Sequence, residues 1–331
     1  MSDDGNQHFF HSEPHTSGVD TGRKRKPPKN LADGMIKALR PKQWVKNVLV
    51  LAAPAAAGAE ALFHGRVLLD VLLAFVVFCL GASSIYLIND AKDWREDQEH
   101  PTKRFRPIAS GVLPIKLAYV MAVVLICLSI GLSFLATAGP QLAIVMAIYI
   151  ALQLGYCFGW KHMPVIDIAL VSSGFMLRTM AGGVAAGIEL SQWFLLVAAF
   201  GSLFMASGKR YSEILLVEQT GAKIRKSLEG YTPTYLRFVW TLAATAVVIC
   251  YTLWGFELAN DAQTGGVWYQ ISMVPFTIAI LRYAADVDRG QGGAPDEIAL
   301  EDRTLQVLAL AWLACIAMAA VSYTHLTLPT T

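Results

Sequence analysis

Residues 89–97 read Asn89-Asp90-Ala91-Lys92-Asp93-Trp94-Arg95-Glu96-Asp97 and follow directly on a long apolar run, residues 68–88. If one helix continues through both, Asn89, Asp90, Asp93 and Asp97 share one face, at about 0°, 100°, 40° and 80°. Carboxylates that close repel one another by several kcal/mol per pair, and a divalent cation relieves the repulsion. All-oxygen ligands suit Mg²⁺ better than zinc. The pattern predicts a Mg²⁺ site with these four ligands and with the three aspartates serving catalysis.

Basic residues follow the acidic stretch at once: Lys103, Arg104 and Arg106. Mg²⁺ held by carboxylates usually shares its coordination shell with substrate phosphates. We therefore expect these three cations to bind phosphate. The alternative is a solvated acidic helix end that merely faces water.

The composition predicts an all-α, polytopic membrane protein. The chain has 331 residues, of which 55% are hydrophobic and 16% charged, and its mean hydropathy is +0.46. Such a profile excludes an ordinary soluble domain. The five cysteines lie inside apolar runs without metal or redox spacing, so they are expected to be buried apolar residues. No nucleic-acid partner is expected.

Three regions are predicted along the chain. Residues 1–33 form a disordered, basic cytoplasmic tail whose polybasic end, residues 23–29, either sets topology or binds anionic lipid. Residues 34–321 form the catalytic membrane domain. Residues 322–331 are polar and uncharged, and are expected to be a non-native tail. The polar start predicts no cleaved signal peptide.

Hydropathy predicts nine membrane-spanning helices in a bundle. Their approximate ranges are 43–62, 66–90, 114–137, 140–159, 164–187, 190–208, 233–256, 267–286 and 303–322. Of the 27 Lys and Arg residues, only Arg66 falls in a predicted outer loop, and Arg178 lies in the middle of a predicted helix. This asymmetry places the N-terminus and the candidate chemistry at the cytoplasmic face of the plasma membrane.

Arg178 is a second candidate site residue because it lies within a predicted membrane helix. An arginine there costs roughly 2.5–3.5 kcal/mol on insertion scales, so it normally faces the bundle interior and an anionic partner. Asp167 lies on nearly the same face of that helix. The hypotheses are an anionic ligand, which we favour, and a structural pairing with an acid on another helix.

Polar residues at three further helix ends are candidates for phosphate binding or for the polar pocket. Tyr156 and Lys161 flank the fourth segment, although interfacial anchoring explains them equally well. The first segment opens with two i,i+4 pairs, Lys42 with Lys46 and Gln43 with Asn47. The predicted loop after the sixth segment contains Lys209 and Arg210 as phosphate ligands and Glu213 as a metal ligand; positive-inside charge is the alternative.

The Asn-Asp-x-x-Asp-x-x-x-Asp motif of residues 89–97 and the pattern His-Pro-x-Lys-Arg-x-Arg-Pro-Ile-Ala-x-Gly of residues 100–111 resemble the UbiA-type intramembrane prenyltransferase superfamily. The resemblance covers about residues 36–321. It implies an all-helical bundle that uses Mg²⁺ to handle a diphosphate beside a polyprenyl chain.

One departure from the superfamily pattern bears on the substrate. Aromatic prenyltransferases carry a second Asp-x-x-x-Asp motif after helix six, where this chain has Lys209, Arg210 and Glu213. Together with the stretch Arg40–Asn47, this is similar to the decaprenyl-phosphate phosphoribosyltransferase branch. That resemblance implies transfer of 5-phosphoribose from phosphoribosyl pyrophosphate to a polyprenyl monophosphate, a step toward cell-wall arabinan in arabinogalactan.

Two alternatives remain open at the level of the sequence. An aromatic prenyltransferase acting on a quinone precursor would use Glu213 in place of the second acidic motif. A transporter of phosphorylated solutes would use Arg178 as its midplane ligand, although no internal repeat is visible. A homo-oligomer is compatible with the sequence.

Overall fold

The computed structural model describes residues 27–58, 65–100, 102–220, 228–262, 265–290, 298 and 301–324. A short helix opens it, α1 (Leu31–Ala38), capped by the Asn30 side chain. A 3-10 helix, Pro41–Leu51, and α2 (Ala52–Ala56) follow. The other helices are α3 (Gly65–Lys92), α4 (Trp94–Glu99), α5 (Ile115–Ser133), α6 (Gly139–Cys157), α7 (Ile166–Ala185), α8 (Gln192–Thr220), α9 (Pro233–Asp261), α10 (Gly266–Asp288) and α11 (Arg303–Thr324).

The prediction of an all-helical, multi-pass membrane protein is confirmed. Among the described residues, five helices are long and apolar enough to cross a bilayer: α3, α5, α6, α7 and α9. The predicted count of nine crossings is not matched by this criterion: α8 and α10 do not meet it, the apolar part of α11 is shorter (Arg303–Ala319), and the first segment is not a long helix. Most of the expected tail, residues 1–26, and most of the expected non-native end, residues 325–331, lie outside the described part.

The prediction of one membrane-spanning α-helix over residues 43–62 is wrong. Residues 41–51 form a 3-10 helix, α2 ends at Ala56, and residues 59–64 lie outside the described part. A 3-10 helix has three residues per turn, and the inward positions Asn47, Val50 and Ala53 recur every third residue. The i,i+4 pairs predicted for Lys42 and Lys46 and for Gln43 and Asn47 therefore do not share a face.

Close backbone packing explains how this segment is held. A Cβ added at Gly182 of α7 would overlap the carbonyl oxygen of Val50, and one at Gly183 would come within 2.8 Å of the Ala53 Cβ. Two adjacent glycines therefore let the 3-10 helix and α2 lie directly on the backbone of α7. This matches the use of small residues where membrane helices approach closely.

Gly182→Ala is expected to destabilise the protein by about 3 kcal/mol, at the upper end for overpacking, because the obstacle is backbone and not a flexible side chain. The measurement is the melting temperature of the detergent-purified protein. Gly131→Ala is the matched control, since an added Cβ there meets nothing within 4 Å. That control is expected to be neutral or slightly stabilising, as for Gly→Ala within any helix. An equal melting temperature for the two variants would contradict the close approach.

Two apolar cores lie side by side and meet at α7. The first packs α3, α5 and α6 around buried residues such as Phe78 and Met146, and takes Ala181 and Ala185 from α7. The second packs the ends of α8, α9 and α10 around Phe204 and takes Ile168 from α7. Because α7 belongs to both, it connects α3, which carries the acidic motif, to α8, which carries Lys209 and Arg210.

Two further boundaries differ from the predictions. The sixth segment was expected to end at Gly208, but α8 continues to Thr220, so Lys209, Arg210 and Glu213 lie in a helix and not in a loop. Arg210 has a buried partner on another helix, Asp167 of α7, which hydropathy does not show. Helical structure also begins inside the tail that was predicted for residues 1–33, because α1 starts at Leu31.

Candidate active site

Asp90 lies at the centre of the acidic end, in the last turn of α3, and is only 3% exposed. Arg40 Nη2 donates to both carboxylate oxygens, at 2.6 Å and 2.7 Å. Arg106 Nη1 donates to the same carboxylate at 3.1 Å. The buried negative charge is thus neutralised by two guanidinium groups, one from each flanking segment.

Asp97 is joined to Asp90 through a shared arginine. The Arg106 Nη1 atom that contacts Asp90 also donates to Asp97 Oδ2 at 2.7 Å, and Lys103 Nζ lies 3.8 Å from Asp97 Oδ1. Burial raises the pKa of the Asp97 carboxyl, while Arg106 opposes the shift by attraction and hydrogen bonding. Two of the predicted phosphate ligands, Lys103 and Arg106, therefore do lie against the acidic motif.

Asp93 turns toward a different part of the site. Its carboxylate accepts a 2.8 Å hydrogen bond from Lys161 Nζ, on the loop after α6. Asn89 Oδ1 accepts from the Sγ of Cys157, the last residue of α6, at 3.8 Å. The single continuous helix predicted through residues 89–97 is interrupted at Asp93, although the backbone bonds Asp93 N to Asn89 O and Asp97 N to Asp93 O persist at 2.9 Å. The four residues keep to one end of the bundle.

The donor chemistry of this end suits Mg²⁺, because it offers carboxylate and amide oxygens. No three Asp, Glu, His or Cys side chains converge on one point among the residues that the structure describes. Mg²⁺ is usually bound by one or two carboxylates plus waters and substrate phosphates, so it does not need such a cluster. Asp90, Asp97 and Asp93 fit that mode of binding.

Arg210, within α8, is the centre of a buried ion-pair network. Arg210 donates to both oxygens of Asp167, at 2.8 Å and 3.0 Å, and to Glu213 at 2.9 Å. Asp167 is fully buried. Tyr156 Oη lies 3.4 Å from Arg210 Nη2. In this structure the guanidinium predicted to bind phosphate, and the carboxylate predicted to bind a metal, satisfy each other.

Arg178 lies deep in the bundle, away from the acidic motif. It donates to Asn47 Oδ1 at 2.7 Å, to the Gly174 carbonyl at 2.6 Å and to Tyr149 Oη at 2.7 Å. Asp167 lies about 16 Å away along the helix axis, at 1.5 Å per residue. These contacts are to neutral groups on three segments, so the structural acid pairing considered from the sequence is not what holds Arg178.

The other predicted site residues lie near the surface at the end of the bundle that carries the acidic motif, or along the 3-10 helix. Lys42 is exposed, and Gln43, Lys46 and Lys209 are half-buried. Arg104 packs over the ring of Phe105, with 4.9 Å between the guanidinium carbon and the ring centroid. The structure brings Lys103, Arg106 and Lys161 to the acidic motif, and it places Gln43 and Asn47 on separate faces.

Sequence reasoning missed Arg40, Tyr149 and Lys92. In the stretch Arg40–Asn47, the sequence pointed to the two lysines and the two amides as site residues and not to Arg40. Lys92 lies within the acidic motif and reaches the Cys157 carbonyl at 2.6 Å. Tyr149 carries no signal in the sequence, because only the tertiary fold places it beside Arg178.

The sequence profile of the UbiA prenyltransferase family matches residues 47–308. This chain belongs to that family. The UbiA fold is also seen in a solved UbiA homolog from Archaeoglobus fulgidus bound to GPP and Mg²⁺. The two share 16% sequence identity with a TM-score of 0.64 over 87% of this chain and 98% of the homolog. The UbiA-type resemblance of the sequence is therefore confirmed.

Curated UbiA relatives of this chain are much more similar in sequence. A protein of Corynebacterium glutamicum named decaprenyl-phosphate phosphoribosyltransferase is 77% identical over 95% of this chain and 94% of its own length. A protein of Mycolicibacterium smegmatis with the same name is 62% identical over 88% of this chain and 94% of its own length.

Proposed function

We propose that this UbiA-family chain is a decaprenyl-phosphate phosphoribosyltransferase. The observation that carries the proposal is the 77% identity, over 95% of the chain, to a curated enzyme of that name. The reaction joins phosphoribosyl pyrophosphate to a polyprenyl monophosphate and releases pyrophosphate. Its product is a lipid-linked phosphoribose, which serves as a precursor of cell-wall arabinan.

The acidic end is the binding site for the donor's pyrophosphate. Asp90, Asp93 and Asp97, with Asn89, would hold Mg²⁺, which would supply charge neutralisation for the leaving group. Lys103, Arg106 and Lys161 already lie against these carboxylates. They are therefore within reach of phosphate oxygens that bind beside the same carboxylates.

The acceptor chemistry needs no general base. The bond between ribose C1 and the pyrophosphate oxygen breaks as C1 becomes oxocarbenium-like, and an oxygen of the lipid phosphate forms the new bond from the opposite face. That oxygen is already anionic, so no proton has to be removed. The donor's 5-phosphate and the lipid phosphate need further cations, for which Lys42, Lys46, Arg104 and Lys209 are the candidates.

The active end faces the cytoplasm in this proposal. The ion pairs of α3, α7 and α8 lie at the end of the bundle that carries most Lys and Arg residues. The opposite end has the smaller network of Arg66, Asp70 and Thr137. By the positive-inside asymmetry, the enzyme is a plasma-membrane protein that receives its soluble donor from the cytoplasm.

Purified protein is expected to incorporate ribose label into polyprenyl phosphate and to give no product from polyprenyl diphosphate plus an aromatic acid. Lys209→Ala is expected to raise the Michaelis constant for one of the two substrates by one to two decades, about the value of a charge-assisted phosphate contact. Lys116→Ala is the control, since it removes an equal charge at the start of α5. Prenylated aromatic product without lipid-bound ribose would refute the proposed function.

A further inference from the structure

Arg40 engages both oxygens of Asp90 through a single nitrogen. Its Nη2 lies 2.6 Å from Oδ1 and 2.7 Å from Oδ2, the place that a cation chelated by this carboxylate would take. Arg106 acts similarly between two residues, since its Nη1 lies 3.1 Å from Asp90 and 2.7 Å from Asp97. Guanidinium nitrogens thus engage the carboxylate oxygens that would hold a metal ion.

Arg40 is the movable partner of its ion pair, and Asp90 is the fixed one. The Arg40 side chain is 26% exposed, whereas that of Asp90 is 4% exposed. The guanidinium carbon also lies 4.8 Å from the centroid of the Tyr86 ring. This cation–π contact gives the charge a second partner, so the guanidinium can leave the carboxylate without losing every interaction.

The backbone at Arg40 is shaped to aim this side chain. Arg40 has φ 53° and ψ 58°, the left-handed region that residues other than glycine rarely adopt. Pro41 follows and disfavours the right-handed helical conformation at Arg40. The turn carries the chain from α1 into the 3-10 helix and directs the guanidinium at α3. Strain of this kind is retained where the surrounding structure requires it, often at functional sites.

We propose that Arg40 is the resident counter-ion of Asp90 and exchanges the carboxylate for a donor phosphate oxygen when donor and divalent cation bind together. The inference rests on the proposed function and deepens it. Arginine suits the exchange because one nitrogen is enough for the carboxylate, as seen here, whereas its whole fork can bind two oxygens of a phosphate. Before the exchange Arg40 competes with the metal for Asp90, so the metal binds weakly until the donor arrives.

The test measures Mn²⁺ binding and donor binding separately on the detergent-purified full chain, because the two effects have opposite signs. Arg40→Met is expected to bind Mn²⁺ alone about ten- to a hundredfold more tightly, since the competing charge is gone. With Mn²⁺ present, it is expected to bind phosphoribosyl pyrophosphate more weakly by about the same factor. Electron paramagnetic resonance of free Mn²⁺ gives the first affinity, and calorimetry gives the second.

Two further variants separate this role from a structural one. Lys37→Met removes a neighbouring exposed charge whose partner is Asp33, and it is expected to change neither affinity. Arg40→Lys keeps the charge without the fork, so it is expected to restore wild-type Mn²⁺ affinity while donor binding stays weak. If Arg40→Met does not fold, Arg40→Lys decides the matter through donor binding.

Unchanged or weaker Mn²⁺ binding in Arg40→Met would overturn the counter-ion role. Donor binding of wild-type strength in Arg40→Met or Arg40→Lys would overturn the exchange. A wild-type protein that transfers no ribose label would refute the proposed function instead, and the donor-free Mn²⁺ titration would still test whether Arg40 competes for Asp90.

Discussion

Asp90→Asn is expected to lower phosphoribosyl transfer at least a hundredfold, about the value of losing one preorganised electrostatic contact. The amide keeps the shape of the side chain but removes the charge that Arg40 and Arg106 contact and that would hold a divalent cation. It also points an N–H₂ group toward two guanidinium groups. The measurement is turnover against Mg²⁺ concentration, together with the Mg²⁺ dependence of donor binding, which the variant is expected to lose.

Asp33→Asn is the matched control for this prediction. Asp33 lies in α1, where it pairs with Lys37 at an exposed position, so the same chemical change there is expected to leave turnover intact. Asp93→Asn is expected to behave like Asp90→Asn, because the proposed metal site would lose another carboxylate, the one that Lys161 contacts. Near-normal turnover of Asp90→Asn with unchanged sensitivity to EDTA would mean that the acidic motif is only a solvated helix end.

Much of the fold was predictable because apolar runs report helix length directly. Residues 66–90, 114–137, 140–159 and 164–187 were predicted, and the helices α3, α5, α6 and α7 agree within a few residues. Hydropathy failed at residues 43–62 because it does not distinguish a 3-10 helix from an α-helix. There the geometry is set by the close contact with Gly182 and Gly183, which the sequence alone does not show.

The sequence predicted most of the residues of the candidate site but not which of their side chains pair. Local spacing indicated that Asp90, Asp93 and Asp97 belong together, and the nearby cations Lys103 and Arg106 do reach them. Arg40 comes from 50 residues upstream, a distance over which local patterns carry no information. Arg210 was assigned to phosphate because a run of cations at an expected helix end suggests a ligand; its acidic partner Asp167 lies 43 residues away.

Arg210→Met is expected to cost about 3–5 kcal/mol of stability, because it leaves Asp167 fully buried without its charge partner. Breaking a buried ion pair from one side is far more damaging than removing both partners. The double variant Asp167→Asn with Arg210→Met is therefore expected to be more stable than Arg210→Met alone. Melting temperature in detergent, measured without substrates, gives the comparison.

Lys209→Met supplies the control at the next position of α8, since it removes the same charge from a half-buried side chain. It is expected to keep the wild-type melting temperature and to weaken substrate binding, whereas Arg210→Met is expected to lose stability before any substrate is added. This contrast assigns Arg210 to positioning α7 against α8 and leaves phosphate binding to Lys209. If Arg210→Met melted like the wild type and only its Michaelis constant rose, Arg210 would be a phosphate ligand after all, and its contacts to Asp167 and Glu213 would be exchanged for substrate.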